Sequence, residues 1–120
     1  QYSDKLKIAN RAVEYINKNY NDLITISEIA DILEIDRRRF SDIFKEVIGL
    51  SPVKYLNEYR LKEARRLLKF SSHTISEIAE MTGYNDCFYF SKNFKKNIGL
   101  CPKKYRQRNN NFFTDIVLKK

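Results

Sequence analysis

The chain carries one hexapeptide twice: Thr-Ile-Ser-Glu-Ile-Ala stands at residues 25–30 and again at residues 74–79. The second copy has one extra residue after the hexapeptide, and a further block of identities then follows in both copies. This block pairs Phe40, Ser41, Phe44, Lys45, Ile48, Gly49, Leu50, Pro52, Lys54 and Tyr55 with Phe90, Ser91, Phe94, Lys95, Ile98, Gly99, Leu100, Pro102, Lys104 and Tyr105. Two unrelated amphipathic helices would not share so many residues in one order. The repeat therefore predicts one structural module built twice.

Each copy has the signals of a helix–turn–helix unit, which is a short helix, a tight connection and a longer helix. A Thr-x-x-Glu capping box starts the short helix, and a glycine in the left-handed conformation ends the long one. In the first copy, the capping box lies at residues 25–28, the connection at 34–36 and the longer helix at 37–48, and Gly49 follows. In the second copy, the capping box lies at residues 74–77, the connection at 83–85 and the longer helix at 86–98, and Gly99 follows.

The rest of the chain is also predicted to be helical. It has only three Gly and two Pro, and no segment alternates strictly between apolar and polar residues. A first helix is expected at residues 4–19 and a linker helix at residues 52–70. Their apolar stripes consist of Leu6, Ala9, Val13, Ile16 and Tyr20 in the first helix, and of Leu56, Ala64, Leu67 and Leu68 in the linker.

The expected architecture is an all-α fold of about seven helices. Its parts are a first helix–turn–helix subdomain at residues 3–50, a linker helix at 51–70, a second subdomain at 71–108 and a tail at 109–120. Docking of this tail on the domain, contact with another chain and disorder all remain open. The linker helix would be roughly 27 Å long, and two helices on one face of B-DNA lie about 34 Å apart. The linker thus suits two readers in successive major grooves.

Charge and composition favour a polyanion as the partner and argue against an enzyme. The formal net charge is +8, and residues 92–108 contain seven basic residues and no acidic one. The single histidine, His73, has no Ser–His–Asp spacing around it, and the sequence contains no glycine-rich phosphate loop and no cluster of metal ligands. We therefore expect no catalysis and no cofactor. The two cysteines, Cys87 and Cys101, indicate reduced thiols and a cytoplasmic location. No apolar run has the length of a membrane span. The start at Gln1 rather than Met indicates a fragment of a longer protein.

The longer helix of each copy is predicted to bury one face and to present the opposite face to DNA. In the first copy, the buried face is Phe40, Ile43, Phe44 and Val47, and the outward face is Arg38, Asp42 and Lys45, flanked by Ser41 and Glu46. In the second copy, Phe90 and Phe94 are buried, and Phe88, Lys92 and Lys95 face outward, flanked by Ser91 and Lys96.

These side chains match known contacts to base edges and phosphates. Arg38 suits a bidentate pair with guanine, Asp42 suits a cytosine amine or the orientation of Arg38, and Phe88 suits a thymine methyl group. A Phe88 ring folded back into the core is the alternative. Ser41 and Ser91 suit bases or phosphates. The residues assigned to phosphates are Arg37, Lys45, Ser91, Lys95, Lys96 and Lys104.

The pattern resembles the DNA-binding domain of the AraC/XylS family of bacterial transcription regulators. The residues that carry the resemblance are Ile75-Ser76-Glu77-Ile78-Ala79, Gly83-Tyr84, Tyr89-Phe90-Ser91-Lys92, Phe94-Lys95-Lys96, Gly99 and Pro102-Lys103-Lys104-Tyr105-Arg106, with Arg60, Ala64, Leu67 and Leu68 in the linker. The resemblance covers residues 8–107 and is greatest to the output domains of YesN-like response regulators.

This resemblance implies that the third and sixth helices enter adjacent major grooves of a promoter. By family position, the base-reading residues are Arg38, Ser41, Asp42, Cys87, Phe88 and Lys92. The implied partners are double-stranded promoter DNA, RNA polymerase and a sensory or receiver domain outside this fragment. A basic protein-interaction module that does not bind DNA is the competing hypothesis.

Four positions depart from simple expectation. Cys101 stands where the family has Ser before Pro, which indicates a conservative packing change. Asn93 and Asn97 replace apolar residues of the first copy and predict a sixth helix that is fastened less firmly. Arg60 lies on the apolar stripe of the linker and is expected to have a structural role, with a buried carboxylate as one candidate partner; a DNA contact is the alternative. The outward residues differ between the copies, so each copy is predicted to read a different half-site.

Overall fold

The computed structural model describes residues 1–109, and every regular element in this range is a helix. This confirms the predicted all-α fold of about seven helices. The helices are α1 (Tyr2–Asn19), α2 (Ile26–Ile32), α3 (Arg37–Ile48), α4 (Pro52–Phe70), α5 (Ile75–Met81), α6 (Cys87–Ile98) and α7 (residues 102–109). Of the predicted tail at residues 109–120, only Asn109 lies within the described residues.

Two compact units divide the chain inside α4. The first unit is Gln1–Arg60, and the second begins at Leu61. The first core contains Ala12, Ile16, Ile26, Ile29, Ala30, Phe40, Phe44 and Leu56. The second core contains Leu61, Ala64, Leu67, Leu68, Ile78, Ala79, Tyr84, Phe90 and Phe94. Because α4 contributes residues to both cores, it closes the first unit and opens the second.

An aromatic group fastens the longer helix in each unit. In the first unit, the ring of Phe44 lies 5.8 Å from that of Phe40 and 5.6 Å from that of Tyr55 in α4. The same three positions of the second unit form the same group, with 5.8 Å between Phe90 and Phe94 and 5.4 Å between Phe94 and Tyr105. Each phenylalanine of these pairs is fully buried. The sequence repeat is therefore also a repeat of side-chain packing.

An arginine bonds the end of the first helix in each unit. Arg60 donates to the carbonyl oxygens of Tyr20 and Asp22, at 2.9 and 2.8 Å, where α1 ends. Arg106 donates to the carbonyl oxygens of Leu68 and Ser71, at 3.1 and 3.2 Å, where α4 ends. A cation at the carboxyl end of a helix satisfies its last carbonyl groups and the helix dipole. These bonds to backbone carbonyls give Arg60 a structural role, as expected.

The two predicted capping boxes differ in the structure. Around Thr74, both halves are present: the Thr74 hydroxyl accepts from the Glu77 N–H at 3.1 Å, and the Glu77 carboxylate accepts from the Thr74 N–H at 2.8 Å. In the first copy, Thr25 accepts from the Glu28 N–H at 3.1 Å, but the Glu28 carboxylate accepts from the Tyr15 hydroxyl at 3.2 Å. The first box is therefore a single cap, because α1 supplies a competing donor.

The predicted starts of α1 and α6 and the predicted apolar stripe of α1 were partly wrong. Helix α1 begins at Tyr2, two residues before the predicted start, and Asp86 precedes α6 as its N-cap. In α1, Ala12 is fully buried, whereas Leu6 is 37% exposed. The buried stripe of α1 therefore includes Ala12, and Leu6 lies at its exposed edge.

Ser51 is the residue of the first copy that corresponds to Cys101, and its role is to cap a helix. The Ser51 hydroxyl accepts from the Lys54 N–H at 3.2 Å, so it caps the amino end of α4. Cys101 occupies the same place before α7, and a thiol is a weaker acceptor than a hydroxyl. By this equivalence, a serine at position 101 would cap α7 more strongly than the thiol does; the conservative packing change stays a prediction.

Substitutions at Glu34 and Gly83 should have different effects on the free energy of unfolding. Both occupy the turn between the short and the long helix with positive φ, 58° for Glu34 and 90° for Gly83. A residue with a Cβ pays roughly 1–2 kcal/mol there. We expect Gly83→Ala to lower the free energy of unfolding by about that amount in urea titrations. Glu34→Gly should leave it unchanged or raise it by less than about 1 kcal/mol. Equal effects of the two substitutions would contradict this assignment.

The complete capping box at Glu77 predicts a pH-dependent contribution to stability. Its hydrogen bonds with Thr74 hold the pKa of the Glu77 carboxyl below the ordinary value of 4.5. The stabilisation is therefore full above that value and is lost as the pH falls through the lower folded-state pKa. We expect Glu77→Gln to reduce the thermal midpoint more at about pH 6 than at about pH 3.5. Glu28→Gln is the matched control, since the Glu28 carboxylate accepts from the Tyr15 hydroxyl and does not complete a capping box. A pH-independent effect of Glu77→Gln would contradict the prediction.

Candidate nucleic-acid interface

The amino ends of α3 and α6 are built alike. The Asp36 carboxylate accepts from the N–H groups of Arg38 and Arg39 at 3.1 and 3.2 Å, and the Asp86 carboxylate accepts from the Phe88 N–H at 2.9 Å. An aspartate directly before a helix satisfies its first free N–H groups. Arg38 and Phe88 therefore occupy the same position, the second residue of a long helix, with the same backbone bond.

The outward face of α3 is open to solvent as predicted from its sequence. Arg37, Arg38, Asp42 and Lys45 are exposed, and Ser41 is partly exposed. Glu46 was predicted at the flank of this face, but it turns toward α1, where its carboxylate pairs with Lys5 at 3.0 Å. Asp42 therefore remains as the acidic side chain of this outward face, four residues after Arg38.

The outward face of α6 presents an aromatic ring. Phe88 is 86% exposed, so the alternative in which its ring folds into the core is wrong. The adjacent Tyr89 is 60% exposed and has its ring centre 6.2 Å from that of Tyr84. Sequence periodicity did not assign a role to Tyr89, although its side chain is also exposed near this end of the helix. The lysines of this face, Lys92, Lys95 and Lys96, are exposed, and Ser91 is partly exposed.

Of the remaining predicted site residues, Cys87 is partly buried and Lys104 is exposed. Cys87 is the first residue of α6, is partly buried, and its Sγ accepts from the Ser76 hydroxyl at 3.6 Å. This contact ties the start of α6 to α5. Lys104 is exposed on α7. The assignments of all these residues to bases or phosphates stay predictions.

Polar contacts accompany the aromatic fastening of α6. Asn93 donates from its side-chain amide to the hydroxyl of the buried Tyr84 at 3.2 Å. Asn97 donates to the Asn93 carbonyl oxygen at 2.8 Å. The two asparagines that replace apolar residues of the first copy therefore form hydrogen bonds on the flank of α6. Looser fastening of this helix stays a prediction.

The net charge is divided unequally between the two units. Residues 1–60 contain ten Lys or Arg and ten Asp or Glu, whereas residues 61–120 contain thirteen and five. The first unit is thus formally neutral, and the whole excess of +8 belongs to the second half of the chain. Attraction to phosphates that does not depend on sequence should therefore come mainly from the second unit.

Residues 1–109 contain neither a metal-binding cluster nor a membrane-spanning helix. Within residues 1–109, no three His, Cys, Asp or Glu side chains are grouped so that they could hold a metal ion. In the same part of the chain, no helix combines the length and the apolar character needed to cross a membrane.

Comparison with known proteins identifies the module. Residues 29–108 match the family model described as "Helix-turn-helix domain". Over 95 residues, the chain is 39% identical to the lactose operon transcription activator of Staphylococcus xylosus. That match covers 79% of this chain and 34% of the relative, so the chain spans about a third of the length of this relative.

Solved structures agree with this match. The C-terminal domain of AraT, a response regulator from Geobacillus stearothermophilus, is 34% identical with a TM-score of 0.82, and the match covers 84% of each chain. The C-terminal domain of the two-component response regulator yesN from Fusobacterium nucleatum is 32% identical with a TM-score of 0.79, over 81% of this chain and 95% of that one. The chain therefore belongs to the AraC/XylS family of helix–turn–helix transcription regulators.

Proposed function

We propose that this chain binds double-stranded promoter DNA by placing α3 and α6 in adjacent major grooves, and thereby regulates transcription. The observation that carries the proposal is the matched construction of these two helices. Each buries a phenylalanine pair and exposes its opposite face to solvent, with the second residue held by an N-cap aspartate. A helix that enters the major groove needs this combination of a fastened face and a bare face.

The two helices read different chemistry in this proposal. Arg38 donates two hydrogen bonds to the O6 and N7 atoms of a guanine, and Asp42 accepts from a cytosine amine or orients Arg38. Phe88 contacts an apolar base edge, and Lys92 donates to base acceptors one turn further along. Ser41 and Cys87 line the same base edges by family position. Arg38 and Phe88 occupy equivalent positions but differ in chemistry. The two helices therefore read different half-sites, and the bound site is not a palindrome.

Phosphate contacts hold the two helices in position. The residues proposed for them are Arg37, Lys45, Ser91, Lys95, Lys96 and Lys104. Except for Ser91, all of them are exposed. Since the excess positive charge lies in the second half of the chain, the second unit supplies most of the attraction that depends on salt.

The rest of the regulator is inferred from the relatives. The chain spans about a third of the lactose operon activator, and it matches C-terminal domains of response regulators. We therefore propose that a sensory or receiver domain controls this module in the bacterial cytoplasm. The module itself performs no catalysis, uses no cofactor, and acts on transcription by contacting RNA polymerase, as an activator.

Selection of bound duplexes from a random pool tests the proposed function. We expect two enriched sequence blocks that differ from each other and have centres about 10 base pairs apart. The double variant Arg38→Ala, Phe88→Ala is the control, because both side chains are exposed and the fold should persist in thermal melts. It should enrich neither block. Failure of the unmodified chain to bind any duplex at low salt would leave the protein-interaction module as the better hypothesis.

Single substitutions separate residues that read bases from residues that hold phosphates. Arg38→Ala should cost roughly 1–3 kcal/mol at the selected site and relax the preference at one base pair. Lys95→Ala should weaken binding to all sequences similarly and reduce the slope of log K against log salt by about one unit.

Lys45→Ala is the matched variant for Lys95→Ala, because Lys45 occupies the equivalent position of α3. It should also weaken binding without a change in sequence preference. Anisotropy titrations over a panel of duplexes at several salt concentrations measure both quantities. The same behaviour of Arg38→Ala and Lys95→Ala across the panel would contradict the division.

A further inference from the structure

Phe88 offers a base only an apolar surface. Its ring is 86% exposed, and its backbone N–H is engaged by Asp86. A phenyl ring has no group that donates or accepts a conventional hydrogen bond, so it does not read the polar groups of base edges through such bonds. What it can detect is the presence or absence of an apolar group in the major groove.

The apolar group that a base presents there is a methyl on C5 of a pyrimidine. Thymine carries it naturally, and a cytosine methylated on C5 carries it at the same ring position. The two bases differ at C4, where thymine has an oxygen acceptor and cytosine an amine donor. The phenyl ring of Phe88 forms no conventional hydrogen bond with either group, so the methyl is the main feature that it contacts.

We propose that Phe88 makes the second unit a reader of pyrimidine C5 methyl groups, so that cytosine methylation in its half-site strengthens binding. This inference rests on the proposed function, and it adds a chemical modification of DNA as a regulator of the same site. Arg38 occupies the equivalent position of the first unit and carries a guanidinium. The first half-site is therefore not expected to respond in this way.

Methyl groups added or removed singly from a selected duplex test the inference. In the block read by the second unit, each thymine is replaced by deoxyuracil, which lacks only the methyl, and each cytosine by 5-methylcytosine. Burial of one methyl-sized group is worth about fourfold in a binding constant. At one pyrimidine position, we expect a loss of about this factor for thymine to deoxyuracil, or an equal gain for cytosine to 5-methylcytosine.

Variants of Phe88 assign the effect to the ring. Phe88→Ala should abolish the preference for the methylated base, and Phe88→Leu should retain much of it, because the leucine side chain remains apolar. Arg38→Ala is the matched control: it should lower the affinity for the whole site and leave the methyl preference intact. Thermal melts of each variant verify that the fold is preserved.

The outcomes separate this inference from the proposed function. Sequence-selective binding that ignores methyl groups at every pyrimidine of the second block would overturn the inference alone. Weaker binding to 5-methylcytosine than to cytosine, or a methyl preference that persists in Phe88→Ala, would also overturn it. Absence of binding to any duplex would overturn both.

Discussion

The structure depends on one constraint, which is that a short helix must be fastened along one face and remain bare along the other. In each unit, two phenylalanines one turn apart and a tyrosine from the next helix provide the fastening, with ring centres 5.4–5.8 Å apart. Because these rings are buried together, the opposite face is left for solvent or a ligand. Removal of either phenylalanine pair would release the face that is proposed to read DNA.

Helix α4 contributes residues to the packing of both units. Its first turns supply Tyr55 and Leu56 to the first unit, and its later turns supply Leu61, Ala64 and Leu68 to the second. The arginine contacts follow the same logic, since Arg60 on α4 bonds the end of α1 and a residue of α7 bonds the end of α4. Each unit is therefore a set of helices closed by the helix that follows.

Duplication of this scaffold left the outward residues free to diverge. Arg38 and Phe88 share a backbone bond and a helix position, yet one carries a charge and the other an exposed ring. Charge diverged too, because the first sixty residues are formally neutral and the remainder carries the whole excess of +8. The proposed guanine contact therefore belongs to a formally neutral unit, and the proposed apolar contact belongs to a basic one.

The sequence by itself determined the helices, most of their ends and part of both cores, because capping signals, glycines and apolar spacing are local to single helices. It also placed Arg38 and Asp42 on an outward face. Only the tertiary structure decided that the Phe88 ring stays outside, that Glu46 turns toward Lys5, and that the Glu28 carboxylate bonds Tyr15. These choices depend on which group another helix brings within a few ångströms, and periodicity along one helix contains no information about that.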